Sequence, residues 1–210
     1  LITYYPNTLE NYIQDLYDHI GIKNPYDLDI MLISERLNIK TFYFPDCGTQ
    51  AMYVLGGLKI NIDPQSSEQE QWQDFGHELC HLLRQEGTQL NLPEQFITFQ
   101  EDKADNFALQ FCIPTFMLNK LDVPPYRTKA IEFVAETFNV TFEFAKKRIE
   151  RHEQQQIGSL FSLQIKKQYE AEMDFKNSIG FDYFLQDKKK TYLLSQNKGL
   201  VGVINNRRYD

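Results

Sequence analysis

Two histidines four residues apart, with a glutamate beside the first, are the residues best suited to chemistry in this 210-residue chain: His77-Glu78-Leu79-Cys80-His81. On a helix, the i, i+4 spacing stacks both imidazoles on one face, where they can take adjacent corners of a tetrahedral metal site. Glu78 then projects beside them, near enough to work on a water at the metal without being a ligand. Chance alone yields this HExxH pattern in about 1 in 200 chains of this size and composition, so it needs context.

The context is helical. Trp72, Phe75, Gly76, Leu79, Leu82 and Leu83 mark one buried face of a helix running from Ser67 to about Gln85, and Ser67 with Glu70 reads as a capping box. Half of the chain's 4 histidines sit in a single turn of it. A second helix, about Phe96 to Phe111, repeats Ala104, Phe107, Ala108, Phe111 and Cys112 at core spacing. It presents Glu101 and Asp105, another i, i+4 pair, on one face. One of these carboxylates can complete the metal's protein ligands, and the other can receive a histidine N–H. Asp102 competes as third ligand, but it sits about 100° round the helix and has no partner like Asp105. Asp74, one turn before His77, suits the helix dipole or the orientation of the site. Cys80 would crowd the face shared by the histidines and reads as core.

Two imidazoles and one carboxylate, with a position left for water, form the catalytic zinc pattern; the same set can hold non-haem iron(II). A glutamate between two histidines of one helix favours Zn2+. Zinc would polarise a peptide carbonyl while Glu78 takes a proton from water and hands it to the leaving amine. Tyr126, Arg148, Arg151 and His152 are all conceivable oxyanion stabilisers. His152, on a charged helix, reads as a solvated surface histidine, and His19 as a helix-end residue.

The elements that must position these groups follow in order. Helices are expected at Thr8–Ile20 and from Pro25 to near Asn38, then strands at Lys40–Phe44, Ala51–Leu55 and Leu58–Ile62, the last two joined through Gly56-Gly57. The two site helices come next, separated by a polar loop over 86–94. Helices at Thr128–Phe138 and Thr141–Gln155 follow, then a polar helix around Leu163–Lys176 and a hairpin of Tyr192–Ser195 with Leu200–Ile204. The strand Leu58–Ile62 is either a sheet edge that docks an extended substrate or an ordinary covered strand.

His77-Glu-Leu-Cys-His81-Leu-Leu, then Glu101-Asp-Lys-Ala104-Asp105-Asn-Phe107-Ala108 and Phe111-Cys-Ile113-Pro114, resembles the ImmA/IrrE family of metallopeptidases. The resemblance runs from about residue 8 to 155. It implies an α+β, mostly helical, zincin-like core with a small three-stranded sheet packed on the HExxH helix. It also implies His77, His81 and Glu101 as zinc ligands and Glu78 as catalytic acid/base; with Glu101 taken as ligand, Asp105 is left as the carboxylate that receives a histidine N–H. Members of the family resemble site-specific endopeptidases that cleave a transcriptional repressor of a phage or mobile element, and so act as anti-repressors. Cys80 stands where the family usually has Gly. Lys103 stands where a second acidic residue is common, which leaves Glu101 as the candidate there.

On this basis residues 1–157 are expected to form the peptidase domain, and residues 158–210 a C-terminal helix and hairpin extension of unknown role. Residues 1–144 carry a net charge of −12 and residues 145–210 carry +5, which together make the chain's −7. The basic part is better suited to docking a protein target than to reading DNA. DNA binding through a helix-turn-helix-like pair at 128–155, with Lys146, Lys147, Arg148 and Arg151 facing phosphates, is the competing reading. A metal-containing anti-repressor that captures its target without cutting it is a third. Three cysteines with no CxxC pair, no secretory signal and no apolar run of membrane length predict a cytoplasmic protein with no membrane partner. The start at Leu1 leaves a processed or trimmed terminus open.

Overall fold

Local capping decides where the first helices begin. In the computed structural model, which describes residues 4–54, 56–84 and 93–206 and omits the side chains of residues 172, 175–177 and 179, Asn7 caps α1 (Thr8–His19). Its side chain accepts from the Glu10 N–H at 2.9 Å, while the Glu10 carboxylate accepts from the Asn7 N–H at 2.8 Å. Two of the helix's unsatisfied donors are thereby met. Ile13 and Tyr17 from α1 enter the core. Pro25 opens only a short 3-10 turn (Pro25–Asp27); α2 (Ile30–Arg36) starts later than the sequence suggests, because Asp29 accepts from the Leu32 N–H and supplies the true cap.

Three short strands follow: β1 (Lys40–Tyr43), β2 (Gln50–Val54) and β3 (Gly57–Ile62). β3 pairs parallel with β1 and antiparallel with β2, giving the order β1-β3-β2. The strand Leu58–Ile62 is therefore central, which removes it as a docking edge. Its Ile60 and Ile62 are fully buried, and burial of that kind belongs to a strand flanked on both sides. The edge next to the HExxH helix is β2.

α3 (Glu68–Arg84) opens with the expected Ser67–Glu70 box and packs against α4 (Glu94–Cys112). Trp72, Phe75, Leu79, Phe107 and Phe111 form the seam, with Phe107 and Phe111 stacked at 5.6 Å. The helices approach so closely at Gly76 that a Cβ there would lie 2.8 Å from the Cys112 Sγ. The loop expected at 86–94 falls largely outside the described residues. A one-turn helix, α5 (Thr115–Leu118), follows Pro114 and was not legible in the sequence, because four residues are too few for a periodic signal.

α6 (Arg127–Thr137) leads to α7 (Phe142–Ile179), a single helix of 38 residues where two were expected. No proline interrupts it. Gly158 costs a helix only about 1 kcal/mol, too little to stop one this long. The first part of α7 belongs to a unit formed by Tyr5–Gln155, and the remainder to a second unit with the C-terminal strands. That second unit holds an antiparallel sheet of β4 (Tyr183–Gln186), β5 (Lys190–Ser195) and β6 (Gly199–Asn205) in the order β4-β5-β6. β5 and β6 are the expected hairpin, and β4 is an addition. The architecture is α+β and mostly helical, with a small mixed sheet beside the HExxH helix, as in a zincin-like core. Among the described residues, no helix is long and apolar enough to cross a membrane.

Candidate metal centre

The site is built from two helix faces. α3 supplies His77, Glu78 and His81, and α4 supplies Glu101 and Asp105. Because each pair repeats at i, i+4, each helix stacks its groups one turn apart, and the tight crossing at Gly76 brings the two stacks together. The Nε2 atoms of His77 and His81 lie 3.0 Å apart. Glu101 Oε2 lies 3.1 Å from His77 Nε2 and 3.7 Å from His81 Nε2. On the far side of its ring, His77 Nδ1 meets Asp105 Oδ1 at 2.9 Å.

Where His77 donates Nδ1–H to Asp105, its Nε2 is left to present a lone pair. That lone pair faces His81 Nε2 and a carboxylate oxygen, an arrangement that favours a cation among the three. Bonds of 2.0–2.2 Å at tetrahedral angles separate ligand atoms by about 3.3–3.6 Å. The observed separations of 3.0, 3.1 and 3.7 Å bracket that range. The donor set therefore fits a small divalent metal, and the His77-Glu78-His81 cluster, with ligand atoms within 4.8 Å of one another, is capable of holding one.

Glu78 faces a different neighbour. Its Oε2 accepts from the Ala51 N–H on β2 at 2.7 Å. Burial pushes its pKa up, while that N–H and the two histidines oppose the rise. Asp74, one turn earlier, is also raised by burial, against the lowering influence of His77 and the Thr49 side chain. Cys80 is buried, and burial pushes its thiol up to about 11, so it is a core residue with no thiolate to offer.

Other candidates are separated from the centre. Asp102 does not join the histidines; it lines a cleft of about 410 Å³ between α4 and α7 with Asp105, Asn106, Lys147 and Arg151. Tyr126 is largely exposed. Arg148 is fully buried, donating to the Ile113 carbonyl and to Thr115 Oγ1, which removes it both as an oxyanion stabiliser and as a phosphate contact. The expectation of a solvated His152 is also corrected: burial, then the adjacent Arg148, push its pKa down to about 4. Helical periodicity places both residues on one face of α7 but does not say what covers that face. The contact that sequence reading missed is Ala51 to Glu78, because a strand's N–H carries no side-chain signal.

Over 157 residues the chain is 38% identical to the phage-like element PBSX protein XkdA of Bacillus subtilis (strain 168), covering 75% of this chain and 79% of that protein. It is 36% identical over 154 residues to YqaB of the same organism, itself uncharacterised, covering 73% of this chain and 89% of the relative. A solved Mycobacterium tuberculosis transcriptional regulator aligns with a TM-score of 0.49 at 16% identity, over 67% of this chain and 55% of that one. The model of a peptidase family, the IrrE N-terminal-like domain, matches residues 30–150. That span is more than half of the chain and includes both site helices, so the chain belongs to the IrrE N-terminal-like peptidase family.

Proposed function

We propose that this protein is a zinc-dependent, site-specific endopeptidase that cleaves a repressor-type protein. The observation that carries the reading is the meeting of His77 Nε2, His81 Nε2 and Glu101 Oε2 within 3.0–3.7 Å, with Glu78 beside them. His77, His81 and Glu101 are the ligands. Asp105 holds His77 in the tautomer that binds metal. Bound zinc supplies Lewis acidity toward the scissile carbonyl and toward a water molecule. Glu78 removes the proton from that water and delivers it to the departing amine. An extended substrate segment adds to the outer edge of β2, which brings main-chain groups of the substrate alongside Glu78.

A repressor-like substrate is supported by family membership and by a relative named for a phage-like element. The surface of α6 and the first part of α7 gives little support to DNA binding: Arg127 pairs with Glu150 and Glu153, Lys129 with Glu132, Lys146 with Glu143, and Arg148 is buried. We take residues 158–210 as an extension outside the peptidase domain, and the cytoplasm as the compartment where such a repressor is met.

The test combines metal analysis with incubation of wild type and Glu78→Gln against repressors from the same genome. One zinc per chain in both, and a cleaved fragment with wild type alone, is the expected result. Glu78→Gln should lower turnover by at least about 100-fold. A variant that cuts at the wild-type rate excludes Glu78 as the base.

A further inference from the structure

The outer edge of β2 follows a simple alternation. Val54 and Gly57 flank the turn and oppose each other, as do Met52 with Lys59 and Gln50 with Asn61. Hydrogen-bonded pairs alternate with non-bonded ones in an antiparallel ladder, so Ala51 and Tyr53 turn their N–H and C=O groups away from β3. The Ala51 N–H is accordingly not spent on the sheet; it reaches the Glu78 carboxylate at 2.7 Å. A second tie lies beside it. Thr49 accepts from the Asp63 N–H at 3.1 Å, which joins the start of β2 to the end of β3.

We propose that Ala51 is a positioning residue: its main-chain N–H fixes Glu78 Oε2, leaves Oε1 as the oxygen that handles the proton, and links the substrate-docking edge to the base. This rests on the reading of Glu78 as general base. A glutamate has three side-chain torsions, and a charge-assisted bond to a strand N–H restrains the last of them at no cost in a further side chain. The same bond selects substrate register. By the same alternation a strand adding outside β2 meets the Ala51 C=O and both Tyr53 groups, but finds the Ala51 N–H taken. A register whose carbonyl needs that donor must compete with a carboxylate for it, and the carboxylate is the stronger acceptor.

Two measurements on the full chain test the proposal. The first is hydrogen exchange at the Ala51 amide, read by NMR in wild type and Glu78→Ala. Exchange about 10- to 100-fold faster in the variant is expected for a lost bond to a charged acceptor. Equal rates overturn the contact. The second replaces Ala51 by lactic acid, which keeps the methyl group and exchanges the N–H for an ester oxygen. The probe is acetohydroxamic acid added to zinc-loaded protein, since a hydroxamate binds tightly only when a placed carboxylate takes its proton. Affinity for the hydroxamate should fall about 10-fold while zinc affinity is unchanged. Unaltered hydroxamate affinity overturns the positioning role. Glu78→Gln separates the two claims: if it leaves hydroxamate affinity intact, the general-base reading fails, and if it weakens binding where the ester does not, only the Ala51 role fails.

Discussion

Two clusters of charged and polar side chains in this protein use similar residues to opposite ends. In one, Glu10 of α1 accepts from the Thr115 hydroxyl, which in turn accepts from Arg148 at 2.6 Å, and Arg148 also donates to the Ile113 carbonyl. Glu10 and Arg148 are both buried. The cation is part of the chain, and the cluster closes α1, α5 and α7 on one another. In the other, His77 Nε2, His81 Nε2 and Glu101 Oε2 converge on a common point, and the side chain of Asp105 is 73% exposed. There the arrangement favours a cation brought from outside. A buried charge pair that carries its own counterion is structural, whereas one left open beside solvent is suited to binding and chemistry.

Attacking the closed cluster should cost the most stability. Arg148→Met removes the buried cation that reaches Glu10 through Thr115 and leaves the Ile113 carbonyl without its donor, and about 3–5 kcal/mol of unfolding free energy is expected to go, with zinc stoichiometry unchanged. Adding Glu10→Gln should recover part of that loss. Denaturant unfolding with metal analysis checks both, and loss of zinc in Arg148→Met would mean that the clusters are not independent.

The open cluster should respond in the opposite sense. Asp105→Asn weakens the hold on the His77 tautomer, so zinc affinity is expected to fall about 10- to 100-fold while the apo-protein's unfolding midpoint hardly moves. Competition with a chelator of known affinity measures it. A variant that binds zinc as tightly as wild type removes Asp105 from the site.

A substitution at the helix crossing joins the two effects. Gly76→Ala places a Cβ against Cys112 and Phe111 and should destabilise the fold by about 1–3 kcal/mol. It should also loosen zinc, because α4 carries Glu101 and Asp105. An unaltered zinc affinity would show that the pairs of ligands tolerate a wider crossing.

The smallest expected effect is a pH dependence. His152 is pushed down to about 4 by burial and by Arg148, against the partial attraction of Glu10 and Glu153. The unfolded chain, with its histidine near 6.5, then binds a proton that the folded chain refuses. Stability from this residue is full above about pH 6.5 and declines as pH falls toward about 4. His152→Gln should flatten that part of the melting profile, and an unchanged slope assigns the decline to carboxylates instead.

How much of this was legible in the sequence depends on the range of each interaction. The α3 cap, the amphipathic faces of α3 and α4, and the shared faces of His77 with His81 and of Glu101 with Asp105 all follow from spacing within a single helix. Pro25 is a plausible helix opener by type, but the cap that starts α2 is Asp29, four residues later. The break expected near residue 155 does not exist, since one glycine is too weak a stop. The sheet shows the sharper limit: its three strands were visible, but their order was not, because strand order is set by partners distant in sequence.

Spacing along the chain therefore specifies which groups could do chemistry, because helical periodicity turns a four-residue interval into a shared face. Which groups meet is settled by the packing of distant segments. The crossing at Gly76 puts Glu101 rather than Asp102 against the histidines, the order β1-β3-β2 gives Glu78 the Ala51 N–H, and burial withdraws Arg148 from any surface role. Each of these depends on packing between segments far apart along the chain, where the energy comes from excluded water and close contact rather than from local spacing.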